Sequence, residues 1–227
     1  QLFEQNPKRA EQFSLKTSGL LLDYSKNLIT EQTRQLLIEL ARQAGLQTAI
    51  EAMFRGEIIN GTEGRSVLHV ALRGGFQDNA EIAVNDYVQR VQDDIQEFVQ
   101  QIENHQWHGY SGLPITDIVN IGIGGSDLGP RMVYEALTPY QNPAIDVHFL
   151  ANIDGSDFTN TVHGLSPETT LFIIASKSFS TLETKKNAEA ARSWFLQQGG
   201  SEPDLAKHFV AVSSNVDAAV EFGIAQD

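Results

Sequence analysis

The sequence predicts an α/β fold: a three-layer, doubly wound parallel sheet of flavodoxin-like order 2-1-3-4, preceded by a helical N-terminal region. Three observations carry that expectation. The hydrophobic period changes from helical to strand-like after the Gly109–Pro114 punctuation. Beyond it, four short apolar runs alternate with four helical segments, the pattern of a parallel sheet covered on both faces. The first and third strand-to-helix turns are rich in glycine and in hydroxyls, respectively.

Taken in order, residues 1–109 read as helical. Asp23–Asn27 is a polar entry, and Thr30 is a suitable N-cap for a helix whose Leu36, Leu37, Leu40, Ala41 and Ala44 recur at helical spacing until Gly45 stops the pattern. A second short helix, Gln47–Arg55, ends at Gly56. Asn60–Gly64 is turn chemistry, and the Asn60-Gly61-Thr62 sequon inside it reads as a plain loop. From about Asn85 to Asn104, Val88, Val91, Ile95, Phe98, Val99 and Ile102 form one apolar stripe on a long amphipathic helix.

The α/β domain is expected over 110–227. Its strands are Asp117–Ile123, Asp146–Ile153, Thr170–Ser176 and His208–Ser213. Its helices are Pro130–Leu137, about Asp157–His163, Ser180–Gln198 and Val216–Phe222. Doubly wound sheets usually carry more strands than this, so the domain reads as incomplete at its C-terminal end. A chain that opens on Gln1 rather than Met likewise reads as a fragment.

Composition bounds the function. A 41% hydrophobic content supports a packed core and excludes a disordered chain. Sixteen Lys and Arg against twenty-nine Asp and Glu leave a formal charge of −13, the wrong sign for long-range attraction to nucleic acid or an anionic membrane. An anionic partner must therefore be caught locally. The absence of cysteine excludes disulfides, a thiol nucleophile and Cys-ligated metals, and makes a reducing cytoplasm the simplest compartment. Residues 1–10 carry Glu4, Lys8 and Arg9 without an apolar run, unlike a signal peptide, and no stretch approaches the ~18 apolar residues of a membrane span.

Two loops carry chemistry. The first is Asn120-Ile121-Gly122-Ile123-Gly124-Gly125-Ser126-Asp127-Leu128-Gly129-Pro130. Glycines let the backbone approach a ligand, the N–H groups of a helix start face it, and Ser126 adds a hydroxyl, so a phosphate is the natural guest. Dinucleotide and triphosphate patterns fail on spacing, with Asp127 where a GxGxxG glycine belongs and Pro130-Arg131 where a P-loop has Lys-Ser/Thr. A tight turn without a ligand is the plainer alternative.

The second loop, Ala175–Thr184, places Ser176, Ser178, Ser180, Thr181 and Thr184 within nine residues. Ser180 and Glu183 fit a capping box, which would account for two of these residues and leave the rest unexplained. Neutral donors suit a region this poor in cations: no Lys or Arg lies between Arg90 and Arg131, or between Arg131 and Lys177. In a 2-1-3-4 sheet both loops open at the switch point, where open α/β sheets bind ligands. The implied ligand is one phosphate on a small molecule.

These residues resemble a known family. NIGIGGSDLGP at 120–130, ANIDG at 151–155 and ASKSFSTLET at 175–184 are similar to the amino-terminal sugar-isomerase (SIS) domain of the phosphoglucose isomerases. DYSKN at 23–27, TEGRSVLHVALR at 62–73 and HFVAVSSN at 208–215 extend the likeness. The resemblance implies a SIS-type fold and a cytoplasmic enzyme, dimeric when full-length, that interconverts glucose 6-phosphate and fructose 6-phosphate without metal or cofactor. It implies that Gly125 and Ser126 contact the sugar phosphate. Ser176, Lys177, Ser178, Phe179, Ser180, Thr181 and Thr184 then complete the cradle. Ser178 and Ser180 stand where relatives often have threonine, which preserves the hydroxyl. The family's Glu, His, Lys and GGR motifs are not found here, so the chain is expected to hold phosphate without isomerising sugars alone.

Other residues leave alternatives open. A sugar-phosphate sensor of the same domain type is the runner-up function, and a mononucleotide-binding protein a third. His105 and His108 read as surface histidines without a third metal ligand, and His69 as a packed or hydrogen-bonded residue. Arg65 could approach the site or form an ordinary ion pair. Lys177 could balance substrate charge or be a solvated lysine, and Asp127 and Glu183 have helix-start roles.

Overall fold

The computed structural model describes residues 1–79 and 82–226. The chain divides into two compact units, Gln1–Arg90 and Val91–Asp227. The first begins with α1 (Leu2–Gln5) and α2 (Arg9–Gln12), followed by β1 (Ser14–Thr17) and β2 (Leu20–Asp23), which pair antiparallel from Ser14↔Asp23 to Thr17↔Leu20. The region expected to be wholly helical thus contains a hairpin. Its turn is Ser18-Gly19, with φ of 46° and 78°. Positive φ at both central residues is what a type I′ turn requires, and its twist matches that of the strands. Asp23 therefore closes a strand rather than opening a helix entry, and its Oδ1 accepts the Ser25 N–H at 2.9 Å.

The buried Arg9 holds the segment that follows. Its guanidinium donates to the carbonyls of Ser25, Asn27 and Ile29 at 2.7, 2.8 and 2.8 Å, and lies 4.1 Å from the centre of the Phe13 ring. Next come α3 (Glu31–Gln43) and α4 (Leu46–Phe54). Thr30 caps α3 as expected, its hydroxyl accepting the Thr33 N–H at 3.1 Å. The apolar positions of α3 are not covered: Leu36, Leu37 and Leu40 are 64%, 53% and 62% exposed. The unit's small core instead gathers Val70, Ala71 and Phe76 with Met53, Leu68, Ile82, Val84 and Val88. Asn60 forms the expected turn, its side-chain oxygen accepting from the Thr62 hydroxyl and the Glu63 N–H.

The helix α5 (Asn85–Glu103) crosses the division, and its second half belongs to the α/β unit. There β3 (Asp117–Ile121), β4 (Asp146–Leu150), β5 (Thr170–Ala175) and β6 (Phe209–Val212) form a parallel sheet of order β4-β3-β5-β6. Numbered by their sequence within this unit, that is 2-1-3-4. The connections carry α6 (Gly125–Ala136), α7 (Gly155–Val162), α8 (Leu182–Gln197) and the short α9 (Leu205–His208), and α10 (Val216–Phe222) follows β6.

Strand alternation sorts the core between two faces. Val119, Ile121, Phe172 and Ile174 pack with Ala188, Ala191 and Phe195 of α8. Ile118, Leu171 and Val210 pack on the other side with Phe98 and Ile102 of α5. Helices on both faces make the three layers. Phe172, Phe195 and Phe209 are fully buried, with the rings of Phe172 and Phe209 stacked at 4.9 Å. Truncation of one such ring to alanine costs about 3–5 kcal/mol. Among the described residues no helix is long and apolar enough to cross a membrane.

The boundaries of α6 differ from the periodicity. It starts at Gly125, ahead of the expected Pro130, which lies inside the helix. Glycine and polar residues fill the first turn, where hydrophobic spacing is blind.

Candidate functional site

The register Ile121↔Ile174 sets the carboxyl ends of β3 and β5 side by side, and the chain leaves them toward opposite neighbours, β4 and β6. The turn after β3 and the turn after β5 therefore open at one edge, at the switch point of the sheet.

The first turn is built by steric exclusion and one shared carbonyl. A Cβ on Gly122 would lie 2.6 Å from the Ser126 carbonyl oxygen and 2.8 Å from Ser126 Cβ, so only glycine lets the strand end pass this close to the helix start. Gly124, the N-cap, has φ 58° and ψ −118°. Pro130 has no N–H to offer the Ser126 carbonyl one turn back. The buried Asn120 fills that role, its Nδ2 donating to Ser126 O at 3.0 Å. The first strand residue of the motif and its final proline thus meet on one oxygen, and Ser126 is held at the start of α6. Gly125, the first helical residue, is exposed, and Ser126 is half-buried. In this first turn the Ser126 and Asp127 N–H groups turn back to the Ile123 and Gly124 carbonyls at 3.2 and 3.0 Å, which leaves the Gly125 N–H as the one facing the turn. Asp127 is buried, and Arg131 donates to its Oδ1 through Nη2 at 2.8 Å and Nε at 3.1 Å.

The second turn begins with Ser176, buried, whose N–H continues the sheet by donating to Val212 O at 3.1 Å. The Phe179 N–H donates to Ser176 O at 3.1 Å, and Phe179 has φ 55°. The Ser178 and Ser180 hydroxyls share a hydrogen bond of 2.6 Å, while the Ser176 hydroxyl lies 3.5 Å from that of Thr181. Lys177, Ser178, Ser180 and Thr181 are exposed, Phe179 is half-buried, and Thr184 is buried within α8. The expected capping box does not form. Thr181, not Ser180, is the N-cap of α8 and makes no side-chain capping bond, so Glu183 falls at the second helical position, one short of a capping box.

Sequence reasoning missed two sets of supporting residues. Asn187 of α8 is buried and donates to Asn152 O at 2.9 Å, tying the β4–α7 turn to α8. Residues 213–215 after β6 bond to the carbonyls of Lys177 and Ser178. The polar run directly after an apolar strand was the available signal for the second set. In the β4–α7 turn, hydrogen bonds from the Ser156 hydroxyl and N–H hold the Asp154 carboxyl below the usual range. His105 and His108 are exposed, and among the described residues no group of three or more His, Asp or Glu side chains is placed to hold a metal ion.

Sequence and fold both match known proteins. The phosphoglucose isomerase family model matches residues 23–227. A glucose-6-phosphate isomerase of Pseudomonas putida is 57% identical over 228 residues, a match that takes in 99% of this chain and 41% of that protein. One from a Marinomonas species is 52% identical over 232 residues, taking in 100% of this chain and 42% of that protein. The crystal structure of a glucose-6-phosphate isomerase from Chlamydia trachomatis superposes with a TM-score of 0.73 at 29% identity, covering 91% of this chain and 40% of that one. The chain thus spans about two-fifths of the length of the curated relatives it matches. With a parallel sheet of the same kind and a match that runs through both loops, the chain belongs to the phosphoglucose isomerase family.

Proposed function

We propose that this chain supplies the phosphate cradle of a glucose-6-phosphate isomerase, which interconverts glucose 6-phosphate and fructose 6-phosphate in glycolysis and gluconeogenesis. The observation that carries the reading is the meeting of a glycine-rich helix start and a hydroxyl-rich helix start at the ends of two adjacent parallel strands. A phosphate there takes the Gly125 N–H at the start of α6, N–H groups from the first turn of α8 and hydroxyls from the second loop. Gly125 and Ser126 hold it from one side, and Ser176, Lys177, Ser178, Phe179, Ser180, Thr181 and Thr184 from the other. The domain in question is taken over 110–227, behind a region 1–109.

Aldose–ketose isomerisation moves a proton between C1 and C2 and stabilises an enediolate, which requires a base and a cation beside the sugar. We assign those groups to the part of the relatives' length that this chain does not span. By itself the chain is then a binder of hexose 6-phosphate and inactive as an isomerase, and the full-length protein is a cytoplasmic homodimer that needs no metal or cofactor.

Titration of the chain with fructose 6-phosphate, fructose and AMP tests the reading. Fructose 6-phosphate is expected to bind and fructose not; tighter binding of AMP would sink the assignment. Ser126→Ala and Ser178→Ala each remove one charge-assisted hydrogen bond, about 1.5–3 kcal/mol, or tenfold and more in Kd. Unchanged affinity in both variants would mean that the cradle lies elsewhere. Robust turnover by the chain alone would overturn the placement of the proton-transfer groups.

A further inference from the structure

We propose that the turn between β6 and α10, with Asn215 at its centre and Phe222 behind it, is a positioning brace that presents the Ser176–Thr181 loop to the anion. The proposal rests on the phosphate reading of that loop. An anion site must turn N–H and O–H groups inward and carbonyl dipoles away, and a loop of mostly exposed residues does not hold that arrangement unaided. Here two consecutive carbonyls are taken up from outside. Lys177 O accepts from the Ser214 N–H at 3.0 Å, the Ser214 hydroxyl at 2.7 Å and the Ser213 hydroxyl at 3.1 Å. Ser178 O accepts from Asn215 Nδ2 at 3.1 Å.

A planar trans peptide directs its N–H opposite to its C=O. Fixing the Lys177 carbonyl toward residues 213–214 therefore aims the Ser178 N–H away from them. The second handle is apolar. Phe179 is in the left-handed region at φ 55°, where an L side chain needs external support. Its ring meets that of Phe222 on α10 edge to face at 5.8 Å.

Asn215 serves both sides of the brace with one amide. Its Oδ1 accepts the Ala218 N–H at 3.2 Å and caps α10, while its Nδ2 holds the loop. Asparagine supplies an acceptor and a donor together; aspartate and serine can cap a helix, but aspartate has no donor and serine is too short to reach both partners. This separates the two roles experimentally. Asn215→Ser and Asn215→Asp keep the cap and lose the bond to Ser178 O, and the serine variant adds no charge beside the anion.

The test is a ¹H–¹⁵N titration of the 227-residue chain with inorganic phosphate, alongside urea unfolding. The wild type should show saturable shifts at Ser126 and across residues 176–181. Both Asn215 variants should bind phosphate several-fold more weakly, up to about tenfold, as the loss of one neutral hydrogen bond from the loop allows, with unfolding midpoints near the wild type's. Their Ser178 and Phe179 amides should already be displaced before phosphate is added. Ser214→Ala should act in the same direction, and Ser214→Thr, which keeps the hydroxyl, should restore wild-type affinity. Wild-type affinity in Asn215→Ser and Ser214→Ala would overturn the brace and leave the phosphate reading intact. No response of the wild type to phosphate would overturn both.

Discussion

The imidazole of His208 is fully buried, with Nδ1 2.7 Å from the Thr170 carbonyl and Nε2 accepting the Tyr110 N–H at 2.9 Å. That pairing selects the neutral tautomer with its proton on Nδ1, because a second proton on Nε2 would face another N–H. Burial pushes the pKa down, with Lys207 adding to the effect; the bond to Thr170 and the charge of Asp204 oppose it. Above the unfolded pKa of about 6.5 both states are neutral there. As pH falls below that value, the unfolded chain binds a proton that the folded chain refuses, so stability declines. Urea-unfolding free energies should fall from pH 7 to pH 5, and His208→Gln should flatten that part of the slope. An unchanged slope in the variant would assign it to another group. Asp23, Asp154 and Glu189 have lowered pKa values from hydrogen bonds to Ser25, Ser156 and Lys186 respectively, so their contributions are lost only on further acidification, near pH 4 and below. At Gly122 the prediction is steric. Gly122→Ala forces the Ser126 backbone to move and should cost about 1–3 kcal/mol in urea unfolding.

Among the elements, α6 shows how a motif can be legible while its mechanics are not. The run Asn120–Pro130 pointed to a glycine-rich turn, but its proline was placed at the helix start. The structure places Pro130 inside the helix and lets Asn120 answer the carbonyl that the proline leaves without a partner. Asn120→Ala should therefore cost about 1 kcal/mol, the loss of one hydrogen bond to a half-buried carbonyl. In a Pro130→Ala background, residue 130 regains an N–H for Ser126 O, so the same substitution should cost markedly less. Equal costs in the two backgrounds would separate the residues. The β1–β2 hairpin was missed for another reason: its strands have four residues each, too few for alternation to register, and the one usable signal was the Ser18-Gly19 pair. The capping-box spacing of Ser180 and Glu183 failed because α8 begins one residue later, with Thr181 as its N-cap, and a local spacing does not fix where the strand-to-helix turn ends.

For the whole molecule, the apolar positions of α3 separate pattern from packing. Helical spacing correctly placed a helix from Glu31 to Gln43, yet Leu36, Leu37 and Leu40 stay exposed, as do Leu20, Leu21 and Leu22 of β2 at 71%, 67% and 59%. Exposed apolar surface of this kind favours association. Light scattering from the chain should rise with concentration, and the pair Leu36→Glu and Leu40→Glu should reduce it while changing unfolding by no more than about 0.5 kcal/mol per site. Undiminished scattering would clear α3. The net charge of −13 is compatible with an anion site here because the donors are dipoles of two helix starts and a row of hydroxyls, which act at short range. The sequence by itself determined the alternation of strands and helices, the two loops and the family, since these depend on periodicity and on residue types at fixed local spacing, whereas the 2-1-3-4 order was an expectation from the fold type that strand pairing bears out. Only the tertiary structure decided which side chains hold those loops in place. Asn187, Ser214 and Asn215 act on carbonyls brought to them by strand pairing and helix packing, and contacts across such distances leave no period in a sequence.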